Sequence, residues 1–100
     1  MRTIATIEAR YNSSRLSGKV LADLGGMPAL EVMVERLRYV PELDQIVIAT
    51  TTNDSDDAIA ALAQRLRVGC YRGSEDDVMG RVLEAARAHK ADVIVELTGD

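Results

Sequence analysis

Near its amino end the chain reads Thr3-Ile4-Ala5-Thr6-Ile7 and then Arg10-Tyr11-Asn12-Ser13-Ser14-Arg15-Leu16-Ser17-Gly18-Lys19. The first run is apolar apart from its two threonines and rich in β-branched residues, and it predicts a strand over about Thr3–Glu8. The second run is a loop that leaves the carboxyl end of this strand, which is where open α/β sheets bind ligands. It carries three cations, Arg10, Arg15 and Lys19. The sequence therefore predicts a site for a ligand with several negative charges close together, such as a polyphosphate.

The distribution of charge supports a local anion site. In residues 1–22, four cations, Arg2 and the three of the loop, outweigh one acid, Glu8, and give a net charge of +3. Because the whole chain carries −4, the remaining residues carry −7. Binding of long nucleic acids requires an extended basic face, which this balance disfavours. A small anion drawn to one basic loop fits the charges better.

Strands alternate with helices along the whole chain. The pattern predicts strands over about Thr3–Glu8, Gln45–Thr50, Gly69–Tyr71 and Asp92–Leu97. It predicts a first helix over about Pro28–Tyr39. A second helix is expected to begin after a cap at Asn53, Asp54 or Ser55 and to run through Leu66. A third is expected to begin after a cap at Ser74, with Glu75, Asp76 and Asp77 in its first turn, and to end at about His89. Such alternation is typical of an α/β protein with a parallel sheet and right-handed crossovers. One hundred residues are enough for a single domain.

The apolar runs, the amino terminus and the cysteine content limit the classes of protein to which the chain could belong. No apolar run approaches the roughly 18 residues of a membrane span, and the amino terminus lacks the apolar core of a signal peptide. Cys70 is the only cysteine, so an intrachain disulfide is excluded, and we expect a cytoplasmic protein in which Cys70 is a small buried residue. The acids Asp54, Asp56 and Asp57 are interpreted as a helix start rather than as a metal site, and His89 as a favourable cation near a helix end.

Two common phosphate-binding motifs are missing from the sequence. No Gly-x-Gly-x-x-Gly is present, and Gly25-Gly26 is not followed by a third glycine. Gly18-Lys19 is followed by Val20 rather than by Ser or Thr, and no glycine lies five residues before Gly18. The dinucleotide and P-loop classes therefore lose their main support. In this loop, Lys and Arg side chains would have to neutralise the phosphates.

The segment Ala9-Arg10-Tyr11-Asn12-Ser13-Ser14-Arg15-Leu16-Ser17-Gly18-Lys19 resembles the amino-terminal signature A-R-x-x-S-x-R-L-P-G-K of the sugar-acid cytidylyltransferases. That family includes the acylneuraminate and deoxy-octulosonate enzymes and the spore-coat polysaccharide cytidylyltransferase-like branch. Further similar segments follow in order: residues 43–51, Asp56-Asp57, residues 71–78 and Thr98-Gly99-Asp100. Four positions depart from the family pattern: Ser17 stands in place of proline, Glu8 in place of the usual glutamine, Gly80 in place of the acid that usually precedes Arg81, and Glu96 in place of a residue that is often basic. Since such enzymes run past twice this length, the chain resembles their amino-terminal, nucleotide-binding part only.

The resemblance implies a fold, a reaction and a set of ligands. The fold is a Rossmann-like α/β fold of the nucleotide-diphospho-sugar transferase type, with four parallel strands in the order 3-2-1-4 and three helices. In the reaction, a sugar hydroxyl attacks the α-phosphorus of CTP and pyrophosphate leaves, so catalysis is mainly positioning and charge neutralisation. The ligands are CTP, Mg²⁺ and an acidic or amino sugar.

The resemblance also implies roles for individual residues. The triphosphate loop would comprise Ala9, Arg10, Ser13, Arg15 and Lys19, of which Arg10, Arg15 and Lys19 would act in catalysis. The turn Arg72-Gly73-Ser74 would lie near the base and ribose. Asp100 would be one of the carboxylates that bind the metal.

Two expectations concern what this chain does by itself. Because a second metal carboxylate and the sugar pocket would lie beyond residue 100, we expect weak, Mg²⁺-assisted binding of CTP without release of pyrophosphate. The alternative is a non-catalytic nucleotide-binding or interaction domain. Strand 93–97 is apolar enough to be buried on both faces, yet in the resembled fold it would be an edge of this four-stranded sheet. We therefore expect a homo-oligomer formed through this strand.

Overall fold

A computed structural model of the chain describes residues 1–11 and 28–98. Within them the strands are β1 (Thr3–Glu8), β2 (Gln45–Thr51), β3 (Gly69–Gly73) and β4 (Val93–Thr98), and the helices are α1 (Ala29–Leu37), α2 (Asp57–Leu66) and α3 (Val78–Ala88). A short 3-10 turn, Asp54–Asp56, precedes α2. The α/β class that the alternating pattern predicts is confirmed. None of the described helices is long and apolar enough to cross a membrane.

The four described strands form one parallel sheet in the order β3-β2-β1-β4. This is the order that the family resemblance implies, and it is confirmed. In the register of the sheet, Ile7 lies beside Ile48 on one side and Leu97 on the other. Cys70 continues the same row on β3. The central strands β1 and β2 are therefore paired on both sides.

Each face of the sheet carries its own apolar cluster, because successive side chains of a strand point to opposite faces. On one face Ile7 and Ile48 pack with buried residues of α1 and α2 such as Val34 and Ile59. On the other face Ile4, Val47 and Ala49 pack with Ala85 of α3. Since aliphatic residues fill both clusters, the core is built without Phe or Trp, which the chain lacks.

Side-chain hydrogen bonds align the strands with one another at the amino end of the sheet. The carboxylate of Asp44 accepts a hydrogen bond from Thr3 N at 2.7 Å, and that of Asp92 accepts one from Arg2 N at 2.7 Å. The guanidinium of Arg2 in turn donates to the carbonyl of His89 at 2.8 Å. These contacts tie the start of β1 to the residues just before β2 and β4. They fix where the strands begin, and thereby where they end.

The start of α3 corrects the prediction made from its acidic residues. The helix begins at Val78 rather than at Glu75, and its N-cap is Asp77. The hydroxyl of Ser74 accepts from Asp77 N at 3.2 Å, and the carboxylate of Asp77 accepts from Gly80 N at 2.9 Å. A Cβ at Gly80 would lie 2.3 Å from the Asp77 carboxylate. The glycine therefore accommodates the cap, which explains why it is found inside a helix.

The start of the second helical segment agrees with its prediction in part. The predicted cap Asn53 is the N-cap of the 3-10 turn, and α2 follows directly with Asp56 as its own N-cap. The side chain of Asp56 makes no capping hydrogen bond to α2. Asp56 is instead buried, only 1% exposed, and serves contacts outside the helix. Because the carboxylate of this N-cap residue is used outside its own helix, we infer that it has a structural role at the carboxyl end of the sheet.

Candidate functional site

Several predicted site residues meet at the carboxyl end of the sheet. In the strand register, Glu8 lies level with Thr98, and Gly73 lies level with Thr51. The segments that follow β1 and β3 therefore leave the sheet from the same end. This brings the predicted residues Ala9 and Arg10 to the same end of the sheet as Arg72, Gly73 and Ser74. The remaining predicted residues, Ser13, Arg15, Lys19 and Asp100, lie outside the described residues.

Two hydrogen bonds fix the backbone where the basic stretch begins. Ala9 N donates to the carbonyl of Ala49 at 3.0 Å, which extends the pairing of β1 with β2 by one residue. Tyr11 N donates to Asp56 Oδ1 at 2.6 Å. Arg10 lies between these two bonds, and its side chain is half-buried. The first cation of the predicted anion site is therefore held at a defined position.

Asp56 is a buried acceptor that joins three segments. Besides the amide of Tyr11, it accepts a hydrogen bond from the Thr51 hydroxyl. The same hydroxyl accepts from Asn53 N at 3.1 Å. Both carboxylate oxygens are thus used inside the protein, so burial of this charge is compensated. By sequence alone, the three neighbouring acids are equivalent helix-start residues, and only the fold distinguishes Asp56 from Asp54 and Asp57.

The Arg72 guanidinium is partly engaged within the protein. Its Nε donates to the carbonyl of Thr51 at 2.7 Å, and its Nη2 donates to the carbonyl of Asn53 at 2.9 Å and to Asp57 Oδ1 at 2.8 Å. These bonds hold the connection between β2 and α2 against β3. An arginine has five N–H donors, and these three bonds are made by Nε and Nη2.

Sequence reasoning missed a buried ion pair beneath this site. The side chain of Arg81, on α3, is fully buried, and its Nη2 donates to Glu8 Oε1, while the Glu8 side chain keeps 15% exposure. Arg81 Nη1 donates to the carbonyl of Ser74 at 2.7 Å. One sequence signal could have found it. Arg81 falls among the helix positions of Val82, Ala85 and Ala86, which form the buried stripe of α3, and a charged residue on such a stripe requires a partner.

A cleft of about 280 Å³ lies beside the turn after β3. Its lining includes Tyr71, Gly73, Ser74, Asp77 and Arg81. A Cβ at Gly73 would come within 2.9 Å of the Tyr71 ring. Arg72 and Gly73 belong to β3 rather than to the predicted turn, which leaves Ser74 as the first residue after the strand, and glycine at position 73 keeps the end of the strand close to the ring.

The described carboxylates do not by themselves fit a magnesium site. Glu8 is paired with Arg81, Asp56 accepts from Tyr11 N and Thr51, and Asp57 is paired with Arg72. In residues 1–11 and 28–98, no group of three or more His, Cys, Asp or Glu residues could hold a metal ion. The predicted ligand Asp100 is outside these ranges. Mg²⁺ accordingly remains a prediction of the family resemblance.

Comparison with known proteins agrees with the predicted family. Residues 4–100 match the family model described as cytidylyltransferase. The spore coat polysaccharide biosynthesis protein SpsF of Bacillus subtilis is 40% identical over 98 residues, which cover 94% of this chain and 41% of the relative.

Two solved structures share the fold over the whole chain. A cytidylyltransferase from Leptospira borgpetersenii serovar Hardjo-bovis superposes with a TM-score of 0.94 at 37% identity, covering 100% of this chain and 42% of its own. CMP:2-keto-3-deoxy-manno-octonic acid synthetase complexed with CTP superposes with a TM-score of 0.77 at 29% identity, covering 100% of this chain and 41% of its own. This chain thus spans about two fifths of the length of the proteins it matches. With the family model matched over nearly its full length, the chain belongs to the cytidylyltransferase family.

Proposed function

We propose that the chain forms the CTP-binding part of a cytidylyltransferase, which transfers CMP from CTP to a sugar or sugar acid and releases pyrophosphate. Family membership and the similarity to a synthetase complexed with CTP support this proposal. Because the chain spans about two fifths of its relatives, the transfer step is proposed for a complete enzyme. Nucleotide binding is proposed for these residues.

The fixed backbone on both sides of Arg10 is the observation that carries the proposal. The bonds of Ala9 N and Tyr11 N hold the start of the basic stretch at the carboxyl end of the sheet. The segment Arg72-Gly73-Ser74, in which β3 ends at Gly73, lies at the same end of the sheet. A nucleoside triphosphate needs cations for its phosphates and a separate surface for its base and ribose, at a fixed distance from each other. These two segments provide such a pair.

In the proposed site, Arg10, Arg15 and Lys19 neutralise the triphosphate, with Ala9 and Ser13 in the same loop. Charge-assisted hydrogen bonds from these cations would position the phosphates for in-line attack on the α-phosphorus. The segment Arg72-Gly73-Ser74 contacts the base and ribose. Mg²⁺ would supply further neutralisation of the phosphates, with Asp100 as the proposed ligand.

Calorimetric titration of the 100-residue chain with CTP tests the proposal, in parallel with two-dimensional NMR. We expect weak binding that Arg15→Ala and Lys19→Ala each reduce by about tenfold, the loss of roughly 1.4 kcal/mol. Arg87→Ala is the matched control, because Arg87 lies near the far end of α3 with a side chain 75% exposed and should not affect binding.

Two results would contradict parts of the proposal. Absence of heat and of chemical-shift changes at about millimolar CTP would overturn nucleotide binding, since even a weak site responds at that concentration. Equal affinity for CTP and inorganic triphosphate would leave the phosphate contacts standing. It would remove the proposed contacts to the base and ribose.

A further inference from the structure

The Arg81 guanidinium joins the two segments that the proposed function assigns to different parts of the nucleotide. Nη2 donates to Glu8, the residue directly before Ala9 and Arg10. Nη1 donates to the carbonyl of Ser74, the last residue of the turn after β3, at 2.7 Å. One side chain therefore bridges the start of the triphosphate segment and the end of the turn for base and ribose.

We propose that Arg81 is a positioning residue, which sets the spacing between these two segments so that one CTP molecule can use both. The inference rests on the proposed function. It adds a residue that touches neither phosphate nor base and acts through Glu8 and Ser74. Loss of the bridge, with the positive charge opposite Glu8 retained, should leave each half of the site competent and change only the spacing between the two halves.

Burial energetics argue against stability as the sole role of this pair. Replacing a buried ion pair by apolar residues of similar volume is often neutral or stabilising, because removing two charges from water is costly. Here the cost is increased, since Arg81 Nε is buried without a hydrogen-bond partner among the described residues. What an apolar residue could not provide is directed bonds to two separate segments.

The ion pair also neutralises the negative charge at the end of β1. Glu8 adds a negative charge directly before Arg10, the first cation of the basic stretch. Arg81 compensates this charge from below the site, where the Glu8 side chain is 15% exposed and that of Arg81 is fully buried. Without Arg81, the Glu8 carboxylate would be free to pair with a cation of the triphosphate segment.

The arginine fork is the feature that lysine cannot reproduce. Nη1 and Nη2 diverge in one plane and reach the Ser74 carbonyl and the Glu8 carboxylate together. A lysine would keep the positive charge opposite Glu8 but end in a single ammonium group on a flexible stem. Arg81→Lys therefore separates the charge of Arg81 from its bridging geometry.

The test compares three ligands on the wild-type chain and on Arg81→Lys: CTP, inorganic triphosphate and cytidine. A ligand that spans two subsites gains affinity from their fixed spacing, whereas a fragment bound to one subsite does not. We expect Arg81→Lys to lower the CTP affinity by about tenfold, within the range of measured coupling energies. The affinities for triphosphate and cytidine should stay within about twofold of wild type.

Controls separate positioning from loss of folding. Arg87→Lys makes the same substitution six residues along α3 at an exposed site and should change none of the three affinities. Circular dichroism and urea denaturation establish that each variant is folded at the titration temperature. If Arg81→Lys fails to fold, the double variant Glu8→Gln with Arg81→Met removes both charges at similar volume, and it should show the same selective loss of CTP affinity.

Three results would overturn the inference. Unchanged CTP affinity in the folded variant would show that the bridge is not used, and equal weakening of all three ligands would indicate general damage to the site. A wild-type chain that binds none of the ligands would overturn the proposed function and the inference with it. The first two results leave nucleotide binding by the wild-type chain intact, so the failures are distinguishable.

Discussion

Strands β2 and β4 have similar sequences but different environments. The Ile46-Val47-Ile48 run of β2 is 7%, 0% and 0% exposed, whereas the Val93-Ile94-Val95 run of β4 is 36%, 38% and 40% exposed. β2 is paired on both sides and has a helix-covered cluster on each face. Among the four described strands, β4 lies at the edge of the sheet and pairs with β1. Apolar composition shows that a strand can be buried, and its place in the sheet decides whether it is.

The largest expected effect is the difference in stability between matched truncations on the two strands. Ile48→Ala should lower the free energy of unfolding by about 2–5 kcal/mol, since it leaves a cavity in the core. Ile94→Ala should cost less than about 1 kcal/mol, because Ile94 is 38% exposed. Urea denaturation of both variants measures the difference. Equal losses would show that Ile94 is covered in solution.

Coverage of β4 by a second copy is the next test. An apolar edge strand with unpaired N–H and C=O groups invites pairing, so we expect sedimentation equilibrium to show a homo-oligomer that Ile94→Lys shifts toward monomer. Val40→Lys is the matched control, because Val40 is 39% exposed and lies between α1 and β2. A wild-type monomer of 10.9 kDa at high protein concentration would contradict the expectation.

Thiol reactivity compares the two edge strands directly. Cys70 on β3 and Val95 on β4 point to the same face of the sheet, but Cys70 packs against the core cluster. Burial raises the pKa of the Cys70 thiol above 9.0, and the nearby Arg72 guanidinium partly opposes the shift. Because the thiolate is the reactive form, Cys70 should be alkylated roughly tenfold more slowly at about pH 8 than the cysteine of Val95→Cys in a Cys70→Ala background. Equal rates would show that both edges are open.

The smallest expected effect is the pH dependence that Cys70 adds to stability. Burial raises the pKa of the Cys70 thiol in the folded state above its ordinary value of 9.0, so near that pH a larger fraction of the folded than of the unfolded thiol is protonated. The unfolded state thus binds fewer protons in this window, and stability falls as pH rises through it. Denaturation on both sides of the window should show a steeper fall in wild type than in Cys70→Ala. Parallel curves would mean that the pKa of Cys70 is the same in both states.

Much of the fold was predictable because it depends on local patterns. The β-branched run over Thr3–Glu8 gave the bounds of β1 as the structure has them, and the other strands differ from their predictions by one or two residues at an end. The helix starts were less predictable. Several adjacent residues could cap α2 or α3, and the choice depends on contacts with distant segments, such as Tyr11 N on Asp56.

In the candidate site, too, some residues could be predicted from the sequence and others could not. The basic residues of the loop and the turn Arg72-Gly73-Ser74 were found from sequence motifs. Sequence motifs did not indicate the acceptors bonded to Arg72 or the burial of Asp56. They also did not indicate the bridge from Arg81 to Glu8. Glu8 and Arg81 are 73 residues apart, and no local pattern indicates that such a pair will meet.

The sequence by itself determined the alternation of strands and helices, the family and the position of the basic loop, because hydrophobic period and motif spacing are properties of neighbouring residues. Only the tertiary structure decided which charges are neutralised and which apolar strand is covered. Burial of Arg81 beside Glu8, and exposure of β4 in contrast to β2, depend on which segments the sheet order brings together. The free energy of a charge or an apolar side chain depends on that environment and not on its neighbours in the chain.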